Sequence, residues 1–184
     1  MKPVSQGWRP AVLVLGLLAF ADSARAADRP GLFLVADDAN LFSGEAKKQA
    51  EKKLANTKFD GGLNFNVSTY KEMPASWKKK HDAATDKGQI FTEWARSVAA
   101  GDKAKGPFVL ICMKPGHTVV LADEETVNRG FGRTSEGAVL KILDTALKEA
   151  AKKEGDEKTK HRDAALLKAT DYIVNELKGT KVRP

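Results

Sequence analysis

Apolar and polar positions along this chain follow three rhythms, and each predicts a different kind of element. The first is the unbroken apolar run. Phe108 to Met113 and Val119 to Ala122 are two such runs, separated by Lys114-Pro115-Gly116. Runs of this length bounded by turn residues read as strands buried on both faces. Pro followed by Gly predicts a type II turn, with Pro fixing φ and Gly supplying φ > 0. Residues 106–122 therefore predict a β-hairpin inside a sheet covered by helices. Leu32 to Val35 is a shorter run and predicts a first, edge strand. The second rhythm has period two: Leu63 to Tyr70 alternates apolar and polar, which predicts a strand with one face buried.

The third rhythm is helical. Ser43 is a suitable N-cap for a helix to about Ala55, with Ala46, Ala50 and Leu54 on one face and Phe42 placed as a hydrophobic staple. Asp60-Gly61-Gly62 breaks the chain before the alternating strand. Lys71 to Lys87 is polar and Lys-rich, and predicts a loop with a short helix starting at Pro74 and anchored by Trp77. Gln89 to Ala100 carries Ile90, Phe91, Trp94, Ala95 and Val98 on one side, and Gly101 predicts its C′ terminator. Thr134 or Ser135 caps a helix to about Lys153, with Val139, Leu140, Ile142, Leu143, Ala146, Leu147 and Ala150 in its stripe. Glu154 to His161 predicts a charged loop, followed by a last helix over about Arg162 to Leu177 that ends near Gly179.

The order β-α-β-α-β-β-α-α predicts an α/β fold, a three-layer α/β/α sandwich on a small mixed sheet with the hairpin 106–122 at its centre. The crossover from Leu63–Tyr70 to Phe108–Met113 places those strands parallel and right-handed.

The start of the chain changes this picture. Lys2 and Arg9 precede the apolar run Ala11 to Ala21, and Ala24-Arg25-Ala26 supplies a small-x-small cleavage site. That is the three-part pattern of a secretory signal peptide over residues 1–26. The run falls short of the roughly 20 apolar residues that span a bilayer. No later stretch is apolar enough to span one. The expectation is a single domain over 27–184, exported to a periplasm or the extracellular space, with no transmembrane anchor after cleavage.

Charge adds little. The chain has 31 Lys+Arg against 24 Asp+Glu, and aromatics are 7%. The lysines are interleaved with acidic residues on helical faces, as in a solvated surface, which argues against nucleic acid as a partner. Cys112 is the only cysteine, so no intramolecular disulfide forms, and its place in an apolar run predicts a buried thiol.

No familiar nucleophile apparatus is present: no Gly-x-Ser-x-Gly, no His-Glu-x-x-His and no P-loop. The predicted topology instead sorts the acidic residues into two groups. Asp102 and Asp123, Glu124 and Glu125 flank the open end of the hairpin. Asp37 and Asp38 fall at the opposite end of the sheet, about a strand length or roughly 15–20 Å away. At the open end, Gly130-Phe131-Gly132-Arg133-Thr134-Ser135 leads into a helix N-terminus, whose free N–H groups and dipole favour an anion. Gly130, Gly132, Arg133, Thr134 and Ser135 are the candidate anion cradle. Asp102, Asp123, Glu124 and Glu125 offer oxygen ligands suited to Ca²⁺ or Mg²⁺. A hard cation beside an anion cradle is what metal-assisted phosphoester hydrolysis requires. The competing reading is a solvated acidic turn with glycines serving backbone geometry, and for Asp37 a local helix-capping role.

Four stretches together carry a family resemblance. Val35-Ala36-Asp37-Asp38-Ala39-Asn40-Leu41-Phe42-Ser43, Phe91 to Gly101 with its Trp94, Gly106 to Ile111, and Gly130-Phe131-Gly132 resemble, in order and spacing, the motifs of the TPM domain family. Asp37 and Asp38 lie in its opening motif. The resemblance implies an α/β/α sandwich, export, divalent-metal binding and, in some members, acid phosphatase activity. The chain departs from the family pattern at Arg133-Thr134, at His117-Thr118 and in the Lys-rich segment Ala75 to Lys87. Two function classes follow. One is a domain that binds a divalent metal and a phosphate-bearing ligand, with possible weak metal-assisted phosphatase activity. The other is a non-catalytic exported domain that binds a partner protein in repair or assembly.

Overall fold

The computed structural model describes residues 28–180. The leader reading of residues 1–26 lies outside the described residues. A five-stranded sheet runs in the order β2-β1-β3-β4-β5. Its strands are β1 (Asp28–Asp37), β2 (Lys58–Asp60), β3 (Leu63–Tyr70), β4 (Phe108–Cys112) and β5 (His117–Leu121). β1, β3 and β4 are parallel, while β2 and β5 pair antiparallel at the two edges. The α/β sandwich reading holds, and so does the parallel placement of β3 and β4. The hairpin is not central, because β5 is an edge strand, and β1 is not an edge, because β2 pairs outside it.

One face of the sheet carries α1 (Gly44–Ala55), α5 (Arg133–Ala151) and α6 (Gly155–Leu177). α1 packs on β1 and α6, and α5 packs on α6 and β5, so the three helices tile this face edge to edge. Their core gathers Leu54, Phe65, Val109, Ile111, Leu143, Leu166 and Ile173, each at most 2% exposed. The other face carries α2 (Ala75–Ala83) and α3 (Lys87–Gly101). There Phe91, Trp94 and Ala95 pack on Phe108, Leu110, Cys112 and Val119. Among the described helices only α3 packs closely on β4 and β5 from this side, and the β1 half stays open: Leu32 is 55% exposed and Leu34 48%. The second layer is thus half a layer, because only α3 packs closely on the sheet from this side, against three helices on the other.

β4 is buried along its whole length, as its apolar run predicts. β3 differs from expectation: its alternation predicts one buried face, yet Asn66, Ser68 and Thr69 are buried too. Asn66 and Thr69 find partners on other segments. The Asn66 side chain donates to Lys105 O at 2.7 Å, and the Thr69 hydroxyl donates to Asp37 Oδ1 at 2.7 Å. A polar residue with a built-in partner can occupy a covered face.

Several boundaries also move. Ser43 caps α1 as expected, accepting from Ala46 N–H. The hairpin loop is not a type II turn: the Lys114–Pro115 peptide is cis and Gly116 is not at positive φ. Gly101 does not terminate α3 from a left-handed C′ position; it is the last helical residue, and the left-handed residue is Lys103 at φ 50°. Neither Thr134 nor Ser135 caps α5. Gly132 does so, without a side-chain bond, and Ser135 lies inside the first turn. The charged loop expected at Glu154 to His161 is helical, since α6 already begins at Gly155. Salt links such as Lys160–Glu157, together with Asp156 and Glu157 in the first turn, suit a solvated helix start as well as a loop. Two short elements escape the hydrophobic pattern, β2 and α4 (Glu124–Asn128).

Gly106 sets the spacing at the start of β4. It sits at φ 85°, and a Cβ there would overlap the carbonyl of Asn64 on β3. Gly106→Ala is expected to destabilise the fold by at least about 3 kcal/mol, from left-handed strain plus a backbone shift. Urea unfolding measures this, and a loss under about 1 kcal/mol would show that the junction is looser than described.

A candidate anion-binding cleft at the open end of the hairpin

The N-terminal ends of β3 and β4 and the exit of β5 meet in a cleft of about 270 Å³. Tight turns build it. Gly61 and Gly62 turn β2 into β3 at φ 71° and 88°, a region that glycine enters without steric cost. Asp123 ties the walls together. Its Oδ2 accepts Gly106 N–H at 3.0 Å, and its Oδ1 accepts Thr126 N–H at 2.9 Å, which caps α4. Burial alone would raise this carboxyl, but the Thr126 and Gly106 hydrogen bonds and nearby Arg129 hold it below the usual carboxylate range.

Arg129 closes the floor. Its side chain is 3% exposed. Nη1 donates to Gly62 O at 2.9 Å, and Nη2 pairs with Glu125. Its buried Nε has no hydrogen-bond partner among the described residues. Arg29 and Lys105, both exposed, stand on the rim. Three cationic side chains therefore face two carboxylates, and both carboxylates are already engaged, one by backbone N–H groups and one by Arg129. The lining includes no cysteine, histidine or serine to act as nucleophile or base. The arrangement is suited to holding a small anion.

The expected metal ligands divide. Asp123 and Glu125 line the cleft, whereas Glu124 and Asp102 are exposed and do not. Asp102 sits at the C-cap of α3. Among the described residues, no group of three or more His, Cys, Asp or Glu side chains is placed to hold a metal ion. The expected anion cradle divides as well. Gly130, at φ 105°, reverses the chain so that Phe131 is fully buried, and Gly132 opens α5. Arg133 and Thr134 are exposed, and the buried Ser135 hydroxyl donates to Glu176 Oε2 at 3.1 Å. None of Gly130, Gly132, Arg133, Thr134 and Ser135 lines the cleft. The residues that build it instead are Arg29, Gly61, Gly62, Lys105, Gly106 and Arg129. Their signal in the sequence is faint: a glycine pair and a single glycine, each just before a strand, with a basic residue nearby.

At the opposite end of the sheet Asp37 works as an internal connector. Its side chain is 4% exposed. It accepts Leu41 N–H at 2.8 Å, Phe42 N–H at 3.2 Å, the Thr69 hydroxyl at 2.7 Å and Lys47 Nζ at 3.2 Å. Burial would raise its carboxyl, but these bonds outweigh it and keep the group ionised below the usual range. Asp38 beside it is exposed. Asp37→Ala strands two backbone N–H groups and a hydroxyl, and is expected to cost about 2–4 kcal/mol in urea unfolding. A cost indistinguishable from that of Asp38→Ala would refute the connector role.

His117, at the start of β5, stacks on Phe91 with centroids 4.1 Å apart, and His81 meets the same ring edge-on at 5.5 Å. Burial lowers the His117 imidazole, Asp144 raises it and His81 lowers it, for a net lowering. The folded state thus favours neutral His117. Its contribution is fully present above the unfolded value near 6.5 and is lost as pH falls from there toward the folded value. Unfolding free energy between pH 7.5 and 5 is expected to fall less steeply in His117→Gln than in the parent chain; equal slopes would contradict the shift.

Against known proteins, the chain matches no family model, no curated protein and no solved structure, so the TPM resemblance rests on the motif residues alone.

Proposed function

We propose that this chain is a non-catalytic binding domain whose ligand presents a small oxyanion, phosphate or carboxylate, to the cleft at the open end of the hairpin. The observation that carries this reading is the pairing of buried Arg129 with rim Arg29 and Lys105 around a cleft whose two carboxylates are internally spent. Asp123 already accepts two backbone N–H groups and Glu125 already pairs with Arg129, so a cation would compete with partners present in the fold. Asp123 and Glu125 are two of the four carboxylates, with Asp102 and Glu124, expected to hold the metal of a metal-assisted phosphatase. Export to a periplasm or the extracellular space belongs to the proposal as well, supported by the leader pattern in residues 1–26.

Titration of the ¹⁵N-labelled protein with acetate and with inorganic phosphate tests the cleft. Shifts are expected at the amides of Gly62, Gly106 and Thr126, and they should weaken at least about tenfold in the double variant Arg29→Ala/Lys105→Ala, which alters only exposed side chains. Shifts confined to Gly132–Ser135 would move the anion site to the start of α5. Aryl phosphate hydrolysis abolished by Asp123→Ala would overturn the non-catalytic reading.

A further inference from the structure

The cleft does not stand alone. Leu32 lines it, and Leu32 and Leu34 are the two exposed apolar residues on the half of the sheet that α3 leaves uncovered. Their parallel register opposite Asn64 and Asn66 puts them on the same face as Phe108 and Leu110, two strands away. Under α3 that face is core. Over β1 it is open, so an apolar strip leads directly out of a cationic cleft. Leu32 and Leu34 are two residues apart on one strand, about 7 Å.

We infer that this surface binds an extended peptide segment of a partner protein by its C-terminal carboxylate. The carboxylate enters the cleft toward Arg29, Lys105 and Arg129, and the apolar side chains behind it rest on Leu32 and Leu34. This inference rests on the anion reading of the cleft and names the source of the anion. Charge favours a carboxylate over a phosphate. Asp123 and Glu125 leave the three cations an excess of one positive charge, which matches a singly charged group, while a phosphate dianion would face two fixed carboxylates. The exposed leucines favour a peptide over a free small anion, because apolar surface contributes to affinity only when a ligand covers it. A segment of three or four residues spans from the cleft to Leu34.

The probe is a fluorescein-labelled hexapeptide of alternating Val and Thr with a free C-terminal carboxylate, compared with its C-terminal amide by fluorescence anisotropy on the full chain. The acid is expected to bind at least about tenfold more tightly than the amide. Leu34→Glu lies outside the cleft at an exposed position. It is expected to weaken the acid peptide at least about tenfold while leaving the acetate-induced shifts at Gly62 and Gly106 unchanged. Equal binding of acid and amide, or Leu34→Glu binding like the parent, would overturn the inference. So would acetate shifts without any peptide binding, and in that case the anion cleft itself stands. Loss of both signals in the parent chain would remove the cleft reading along with it. A concentration-dependent dimer broken by Leu34→Glu would give the strip to a second copy of the chain and overturn the peptide.

Discussion

Burying Phe108–Cys112 on both faces takes the backbone N–H and C=O groups of that strand out of water, so each of them needs a partner within the sheet. β3 and β5 supply those partners on the two sides of β4. The requirement fixes β4 inside the sheet, and it forces a helical layer on each side to cover Phe108, Leu110 and Cys112 on one face and Val109 and Ile111 on the other. The junction at Gly106 follows from the same demand. A strand pressed this closely to its neighbour can begin only where no side chain intrudes on the Asn64 carbonyl.

The polar residues that enter this interior act as ties. Asp37 draws the loop before α1 onto β3 through Thr69, and Asp123 draws the start of β4 onto the start of α4. Each buried carboxylate is surrounded by donors, which keeps it ionised and offsets the cost of its burial. Arg129 plays the complementary part for Gly62 and Glu125. Asp37 and Asp123, two of the acidic residues that stand out in the sequence, are thus occupied with holding the fold. The two histidines around Phe91 pack on its ring from two directions.

Among the described residues, the two faces of the sheet are unequally covered. Three helices tile one face of the sheet, while α3 reaches only β4 and β5 on the other. The exposed leucines of β1 and the cationic cleft at its foot are neighbours for that reason. The apolar half comes from incomplete sheet coverage, and the cationic half from the turns at the open end of the hairpin.

The sequence by itself determined the elements with strong periodicity. The buried run of β4, the amphipathic stripes of α3 and α5, the Ser43 cap and the Asp60-Gly61-Gly62 break all stand where local pattern put them, because each depends on neighbours within a few residues. The separation of Asp37 from Asp123 followed from chain direction alone. Tertiary structure decided the rest. Whether Asn66 was buried depended on partners up to 41 residues away, and whether Asp123 was a ligand or a tie depended on Gly106, 17 residues back. Arg129 carried no signal at all in the sequence, since its burial comes from the Gly62 carbonyl 67 residues away. Local pattern fixes which residues can be strand or helix, while the use made of a charged side chain is settled by which distant donors and acceptors the fold brings to it.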